Sequence, residues 1–159
     1  MDKFLFFVDN ARELYSEFEI VPLLYGSLGL EVLTSTDLHS DDVNILIPEK
    51  YLKGKLWEKF SEYLEKKGYQ LIDLNEHIFL KDDIKYSYAS IESLKDFVGI
   101  DVKDIMMHRF EDISYLLLSL EQYLLVYQES SHDEYRKDVK GKNDFQKIQL
   151  IHSELERTK

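Results

Sequence analysis

The amino-acid sequence predicts an α+β domain of α/β-like character, in which helices pack on a mixed β-sheet. Three observations predict it. Apolar residues recur at helical spacing near both ends, β-rich runs fill the middle, and helices and strands alternate before strands follow one another directly. With 159 residues, 44% of them hydrophobic, the chain is long enough to bury a core. We expect a single domain over residues 1–159, with a C-terminal helical segment from about residue 119.

The first half of the chain alternates helices and strands. Residues 2–17 carry apolar side chains three and four positions apart, which indicates an amphipathic helix. The next runs are "IVPLLYG" (20–26), predicted as a strand, "SLGLEVL" (27–33), predicted as a helix, and "VNILIP" (43–48), predicted as a buried strand. A long helix is predicted from Pro48 to about Lys67, because proline suits a first helical turn and Gly68 suits a left-handed helix end.

β-rich runs with short polar breaks come next, a pattern typical of antiparallel strands. The runs are "YQLIDL" (69–74), "HIFLK" (77–81) and "IKYSYASI" (84–91). "ISYLLL" (113–118) is a further strand candidate, although so apolar a run also fits a helix. Ser119 and Gln122 have capping-box spacing, which predicts a helix from there through Tyr127. A last helix is predicted from about Asn143.

Composition and charge exclude several classes of function. The chain has 20 Lys and Arg against 31 Asp and Glu, a net charge of −11, which disfavours nucleic-acid binding. The absence of cysteine excludes disulfides, thiolate zinc sites and thiol nucleophiles, and it fits a reducing compartment, of which the cytoplasm is the simplest. The five histidines lack the spacing of a zinc site. No run is long and apolar enough to predict a membrane segment.

The stretch "YGSLGLEVLTSTDLHSDDVNILIPEK" (25–50) carries the candidate chemistry. Gly26 and Ser27 stand between a strand and a helix, where glycine lets backbone amides approach phosphate oxygens and the helix N-terminus adds donors. Asp42 and Asn44 are two positions apart on the next strand, so their side chains share one face. Glu31 follows the glycine by five positions. The function depends on the turn and Asp42 lying close enough for one triphosphate to touch both.

This arrangement resembles the nucleotidyltransferase superfold, in particular its antibiotic and lincosamide branch and the minimal nucleotidyltransferases. The family pattern is an apolar strand, Gly-Gly or Gly-Ser, a helix, and then two acids flanking an apolar residue on a neighbouring strand. The resemblance implies that Gly26 and Ser27 hold phosphate, and that Asp42 binds Mg²⁺ with Asn44 completing the site. In the family, paired carboxylates hold divalent ions against the triphosphate, and a third carboxylate deprotonates or positions the incoming hydroxyl.

The sequence departs from the family pattern at two of the three acids. Asn44 offers a neutral amide oxygen where a carboxylate belongs, so we expect Mg²⁺ to be held weakly or not at all. For the third acid the candidates are Asp73, Asp83 and Glu92. Of these we predict Glu92 as the catalytic residue, together with Asp42 and Asn44. The strand in which that acid would be sought carries Lys85, Tyr86, Ser87 and Tyr88.

The segment "YRKDVKGKNDFQKIQLI" is the locally basic part of an acidic chain. It is similar to a stretch that often precedes the last helix of the antibiotic branch. On that resemblance Arg136 and Lys142 are candidates for contact with a nucleotide phosphate. The alternative is an ordinary solvated start of a helix.

Three functions fit these observations. The first is a nucleotidyltransferase-fold protein of bacterial type that has lost turnover and binds a nucleoside triphosphate or a partner protein, for example within a toxin–antitoxin or phage-defence pair. The second is an active magnesium-dependent enzyme that transfers a nucleoside monophosphate to a hydroxyl of a small molecule or a protein. The third is an interaction domain with no nucleotide site. The departure at Asn44 favours the first.

Overall fold

The computed structural model describes residues 2–131 and 141–157, without the side chains of residues 141–143. These residues form two compact units. The described residues of unit 1 are 2–92 and 106–117, and those of unit 2 are 93–105, 118–131 and 141–157. The helical segment predicted from about residue 119 belongs to the unit that also takes in residues 93–105.

A mixed sheet, with seven strands among the described residues, is the main element of unit 1. The strands are β1 (Leu23–Tyr25), β2 (Asp42–Ile47), β3 (Gln70–Asp73), β4 (Ile78–Lys81), β5 (Ile84–Ser90), β6 (Met106–Phe110) and β7 (Ile113–Leu117). Their order is β3-β4-β5-β2-β1-β7-β6. β2 is parallel to β5 and β1 is parallel to β7, while the other neighbours are antiparallel. The mixed sheet predicted from the sequence is confirmed.

Strand β2 occupies a central place in this sheet, with β1 on one side and β5 on the other. Its antiparallel register with β1 pairs Tyr25 with Asn44. Its parallel register with β5 pairs Asp42 with Lys85 and Asn44 with Ser87. Residues paired across neighbouring strands share a face, so these five side chains lie on one face of the sheet.

Three helices belong to the described residues of unit 1. They are α1 (Lys3–Phe18), α2 (Gly26–Thr34) and α3 (Gly54–Lys66). α1 begins where the Asp2 side chain accepts a hydrogen bond from the N–H of Phe4 at 2.9 Å. α2 follows β1 directly, as the Gly-Ser sequence predicted.

The long helix predicted from Pro48 is interrupted. A 3₁₀ turn at Glu49–Leu52 precedes α3, and Gly54, the first residue of α3, has a φ of 64°. This left-handed conformation cannot continue a right-handed helix, and glycine adopts it at little cost. The predicted end of the helix is confirmed, because α3 ends at Lys66 and Gly68, directly after the C-cap Lys67, has a φ of 93°.

Asp42 and Asn44 lie on one face of β2 and β5, and apolar side chains cover the other face, here called the aromatic face. Its strand residues are Val43, Ile45, Tyr86 and Tyr88, each no more than 2% exposed. Phe60 of α3 is fully buried, and its ring centroid lies 5.1 Å from that of Tyr88 in an edge-to-face arrangement. α3 is therefore anchored on the aromatic face through its ring contacts.

Unit 2 is helical in its described residues. Its helices are α4 (Ser93–Val98), α5 (Leu120–Ser130) and α6 (Gly141–Arg157). The capping box predicted at the start of α5 is confirmed: the N–H of Gln122 donates to Ser119 Oγ at 3.2 Å, and the N–H of Ser119 donates to Gln122 Oε1 at 2.9 Å. Within the described part of the chain, no helix has the length and apolar character needed to cross a membrane.

Two elements were missed from the sequence, β6 and α4. β6 lies at an edge of the sheet, and its first two residues, Met106 and Met107, are 65% and 58% exposed. An exposed edge strand lacks the alternation of apolar and polar residues that identifies a half-buried strand. α4 has six residues, too few to show a helical repeat.

Candidate functional site

The turn formed by Gly26 and Ser27, here called the Gly-Ser turn, lies against β2. Gly26 has a φ of 69°, and a Cβ placed on it would stand 2.6 Å from Asn44 Nδ2. No side chain larger than hydrogen fits at residue 26 without moving Asn44. The structure therefore brings the turn and the strand that carries Asp42 and Asn44 to one place in unit 1.

Glu31 of α2 holds the loop that leads into β2. Its Oε1 accepts hydrogen bonds from the backbone N–H of Leu38 at 2.9 Å, from that of Ser40 at 3.0 Å, and from Ser40 Oγ at 2.7 Å. Three donors on one carboxylate oxygen fix the loop in a single conformation. The acid that follows the Gly-Ser turn by five positions thus has a positioning role, which the sequence pattern noted without explaining.

The Ser27 hydroxyl is also engaged by this loop, because Ser27 Oγ and Ser40 Oγ lie 2.7 Å apart. A carboxylate only accepts, so the Ser40 proton is given to Glu31. The proton between the two hydroxyls therefore comes from Ser27. In this arrangement the Ser27 side chain has no proton left for a phosphate, so a phosphate contact by Ser27 requires its backbone N–H.

Asn44 is held from both sides. Its Oδ1 accepts a hydrogen bond from the Ser87 hydroxyl on β5, and its Nδ2 lies 2.6 Å from the position that a Cβ on Gly26 would take. The carbonyl oxygen that would ligate a cation is thus used within the sheet, while the amide N–H₂ is directed toward the turn. This orientation favours an anion over a cation beside the Gly-Ser turn.

Asp42, Asn44, Lys85 and Ser87 form one group on the sheet, here called the polar strip. Asp42 and Asn44 are half-buried on β2, and Lys85 and Ser87 stand opposite them on β5. The strip contains one carboxylate and one ammonium group, so its formal charge is zero. Sequence reasoning noted Lys85 and Ser87 in the strand where an acid was sought, but it did not pair them with Asp42 and Asn44.

Glu92 lies away from the polar strip. Both of its carboxylate oxygens accept from the N–H of Glu49 at 3.2 Å, just past the end of β2. Asp42 pairs with Lys85 near the start of β5, whereas Glu92 follows Ser90 at its end. The strand between Lys85 and Ser90 alone spans about 16 Å. Glu92 and Asp42 are therefore not brought together on one bound group.

The other two candidates for the third acid also lie outside the strip. Asp73 ends β3 at the sheet edge, where it accepts from the N–H of Glu76 at 3.1 Å. Asp83 is exposed in the turn before β5, with a φ of 64°. Among the residues described, no three His, Asp or Glu side chains converge in a way that could hold a metal ion.

The donor set at this position does not fit the two-carboxylate magnesium site that the fold family implies. Magnesium is bound through carboxylates and substrate phosphates in near-octahedral geometry. Here Asp42 supplies one carboxylate, the oxygen of Asn44 is engaged by Ser87, and the residue opposite Asp42 is the cation Lys85. No transfer step through a metal ion is therefore assigned to these residues.

The two basic candidates lie in the C-terminal part of the chain. Arg136 lies outside the described residues. Lys142 belongs to the first turn of α6, and its side chain is likewise outside the described part. Their contact with phosphate stays a prediction from the sequence.

The chain is similar to the uncharacterized protein YnaI of Bacillus subtilis (strain 168). The two sequences are 38% identical over 145 residues, which make up 91% of this chain and 92% of YnaI. No family model matches the chain.

Its fold is similar to that of the lincosamide antibiotic adenylyltransferase LnuA, in a crystal structure with lincomycin bound. The TM-score is 0.62, and the match covers 96% of this chain and 97% of LnuA. At 17% sequence identity this likeness concerns the fold alone. The antibiotic nucleotidyltransferase-like fold predicted from the Gly-Ser and Asp-Val-Asn elements is confirmed.

Proposed function

Since the chain belongs to the family of the Bacillus subtilis protein YnaI and has a nucleotidyltransferase-like fold, we propose that it binds a nucleoside triphosphate and does not turn it over. The nucleotide lies between the Gly-Ser turn and the polar strip. Asp42 and Asn44 are the strand residues nearest to its phosphates. The protein then acts through the bound nucleotide, or through a partner that recognises it, in place of catalysis.

This proposal depends on the position of the Asn44 side chain, which makes two contacts. Its amide nitrogen packs against the glycine of the turn, and its amide oxygen accepts a hydrogen bond from Ser87. The first contact keeps the geometry that brings backbone donors and strand side chains to one anion. The second engages one lone pair of a neutral amide oxygen, which holds a divalent metal ion less strongly than the carboxylate of the family pattern. Binding and turnover are therefore separated at a single side chain.

The backbone at the turn supplies the phosphate contacts in this proposal. α2 begins at Gly26, and its N-cap Tyr25 provides no side-chain hydrogen bond to the first turn. The partial positive charge of a helix N-terminus favours an anion there. Glu31 supports the contact indirectly, because it fixes the Ser40 loop against Ser27.

Calorimetry with ATP, GTP, CTP and UTP, combined with measurement of pyrophosphate release, tests the function. With magnesium or manganese present, we expect heat of binding for at least one nucleotide and no pyrophosphate release in the presence of hydroxyl acceptors. Pyrophosphate release by the natural protein would establish the active transferase instead. Absence of heat with all four nucleotides would favour an interaction domain without a nucleotide site.

The substitution Asn44→Asp examines whether the metal site has decayed. It restores the family's second carboxylate without a change of shape, and Ser87 can still donate to it. We expect manganese affinity to rise in this variant. Asn75→Asp, in the exposed turn after β3, adds the same charge elsewhere and serves as the control. Equal manganese binding by the two variants would show that no metal site was assembled at β2.

A further inference from the structure

Lys85 lies opposite Asp42, the position at which its positive charge would most strongly repel a divalent metal ion. It pairs with Asp42 across the parallel strands β2 and β5, and it shares their face with Asn44 and Ser87. On its other side its partner is Leu80 of β4, which brings no charge. The ammonium group therefore belongs to the polar strip.

Among the described residues, the ammonium group of Lys85 forms no ion pair. Lys85 is exposed, and among the described residues no carboxylate lies within 4 Å of its nitrogen. Lys81, on the neighbouring strand, shows the contrast: its nitrogen lies 4.0 Å from Glu13 Oε2 and 4.5 Å from the ring centre of Tyr69. A lysine that forms no ion pair with the described residues is available to a ligand at this position.

The charge of the polar strip suits a polyphosphate without a metal ion. A site with two or three carboxylates repels a triphosphate unless divalent cations stand between them. Here Lys85 balances Asp42, Asn44 turns its amide N–H₂ toward the turn, and α2 presents its N-terminus. Lysine binds phosphate oxygens directly as a point charge. The overall charge of −11 makes such a local cation more necessary.

We propose that Lys85 takes the place of the divalent cation, so that the polar strip binds the polyphosphate of a nucleotide in the absence of metal. This inference rests on the proposed function, since it concerns the same site. It adds the chemistry of recognition: phosphate oxygens contact the ammonium group, the Asn44 amide and the backbone of the Gly-Ser turn. A nucleotide held in this way lacks the metal that would activate its α-phosphate.

Nucleotide titrations of the full chain in EDTA test the inference. The natural protein is titrated with ATP, GTP, CTP and UTP, first in EDTA and then in excess magnesium. We expect the affinity in EDTA to be within about threefold of that in magnesium, because the phosphate contacts do not involve a metal ion. A metal ion that contributed about 1.4 kcal/mol to binding would instead produce a tenfold difference. The probe inorganic tripolyphosphate is expected to compete in EDTA, because the contacts are to phosphate.

Two lysine variants locate the effect. Lys85→Gln is expected to weaken binding in EDTA by at least about tenfold, because it removes a hydrogen bond between two charged groups. Lys59→Gln removes the same charge from an exposed position on α3, beside Phe60 and hence on the aromatic side of the sheet, and is expected to leave binding unchanged. Circular dichroism of both variants checks that they fold.

The outcomes distinguish the two proposals. Binding that requires magnesium, with Lys85→Gln equal to Lys59→Gln, would overturn the role of Lys85 and leave the nucleotide site intact. No binding of any nucleotide under either condition would overturn the proposed function itself. Tighter binding by Lys85→Gln in magnesium would show that the lysine opposes a metal ion that the site does accept, which also contradicts the inference.

Discussion

The two faces of β2 and β5 are built from the same strands and obey opposite requirements. On the aromatic face Val43, Ile45, Tyr86 and Tyr88 alternate into a core that excludes water. On the polar strip the intervening residues remain half-buried or exposed and keep their polar groups. The strands thus carry the packed core on one side and the proposed nucleotide site on the other, with a period of two residues.

The difference teaches where the fold tolerates change. The aromatic face is closely packed, so any loss of volume leaves a cavity. The polar strip holds its geometry through few contacts, namely the bond from Ser87 to Asn44 and the approach of Gly26. The fold therefore depends less on the identity of the polar-strip residues than on that of the residues packed on the aromatic face.

The largest expected effect is on the aromatic face, with Phe60→Ala. The fully buried ring contacts Tyr88 and Phe18, with centroid distances of 5.1 and 5.6 Å. Its removal is expected to lower the free energy of unfolding by about 3–5 kcal/mol. Urea denaturation followed by circular dichroism measures the change.

The control for this prediction is Phe145→Ala, since Phe145 is 59% exposed. We expect its effect to be within about 0.5 kcal/mol, as is usual for surface positions. If the two variants lost similar stability, burial of the Phe60 ring would not explain its contribution to the aromatic face.

Much of the fold could be predicted from the sequence because its signals are local. The capping box at Ser119 and the left-handed end at Gly68 depend on neighbouring residues alone. The break at Gly54 was missed, because the apolar spacing continues across it and suggests one helix. β6 was missed because an exposed edge strand has no buried face to reveal.

The candidate site was predictable only in part. The approach of the Gly-Ser turn to β2 follows from a short motif within one stretch of chain. The pairing of Asn44 with Ser87 joins residues 43 positions apart. Alternation in β5 places Lys85 and Ser87 on one face, but the register that sets them opposite Asp42 and Asn44 depends on the assembled parallel pair.

The second prediction concerns the junction of the turn and the strip, with Gly26→Ala. The φ of 69° disfavours any L side chain, and the new Cβ would meet Asn44 Nδ2 at 2.6 Å. We expect a loss of stability of about 1–3 kcal/mol. We also expect the nucleotide affinity to fall by more than the decrease in the folded fraction can explain. Denaturation and calorimetry on the same sample separate the two effects.

Gly54→Ala provides a matched control for this second prediction. Gly54 also has a positive φ, 64°, but a Cβ there would meet no atom within 4 Å. It is expected to cost about 1–2 kcal/mol from the backbone conformation alone and to leave nucleotide binding unchanged. Equal effects of the two variants on binding would mean that contact with Asn44 does not shape the site.

The smallest expected effect on stability is that of Tyr88→Phe on the aromatic face, and Tyr69→Phe provides the comparison. The Tyr88 hydroxyl is buried near Asn10, but no hydrogen bond to it meets normal geometry among the described residues. The Tyr69 hydroxyl accepts from Asn10 Nδ2 at 3.0 Å and donates to Glu13 Oε1 at 2.6 Å. Tyr69→Phe should therefore cost about 1–3 kcal/mol at pH 7, whereas Tyr88→Phe should change stability by less than about 1 kcal/mol, in the stabilising direction.

Alkaline pH adds a second measurement on Tyr88. Burial raises the pKa of Tyr88 well above its usual value, so the folded state keeps a proton that the unfolded chain releases near pH 10. Stability therefore falls as pH rises above about 10, by about 1.4 kcal/mol per unit for this one proton. Tyr88→Phe should remove that share of the slope in urea denaturation at successive pH values. An unchanged slope, or a loss of stability at pH 7 as large as that of Tyr69→Phe, would mean that the hydroxyl has a partner and that the aromatic face is more polar than its packing indicates.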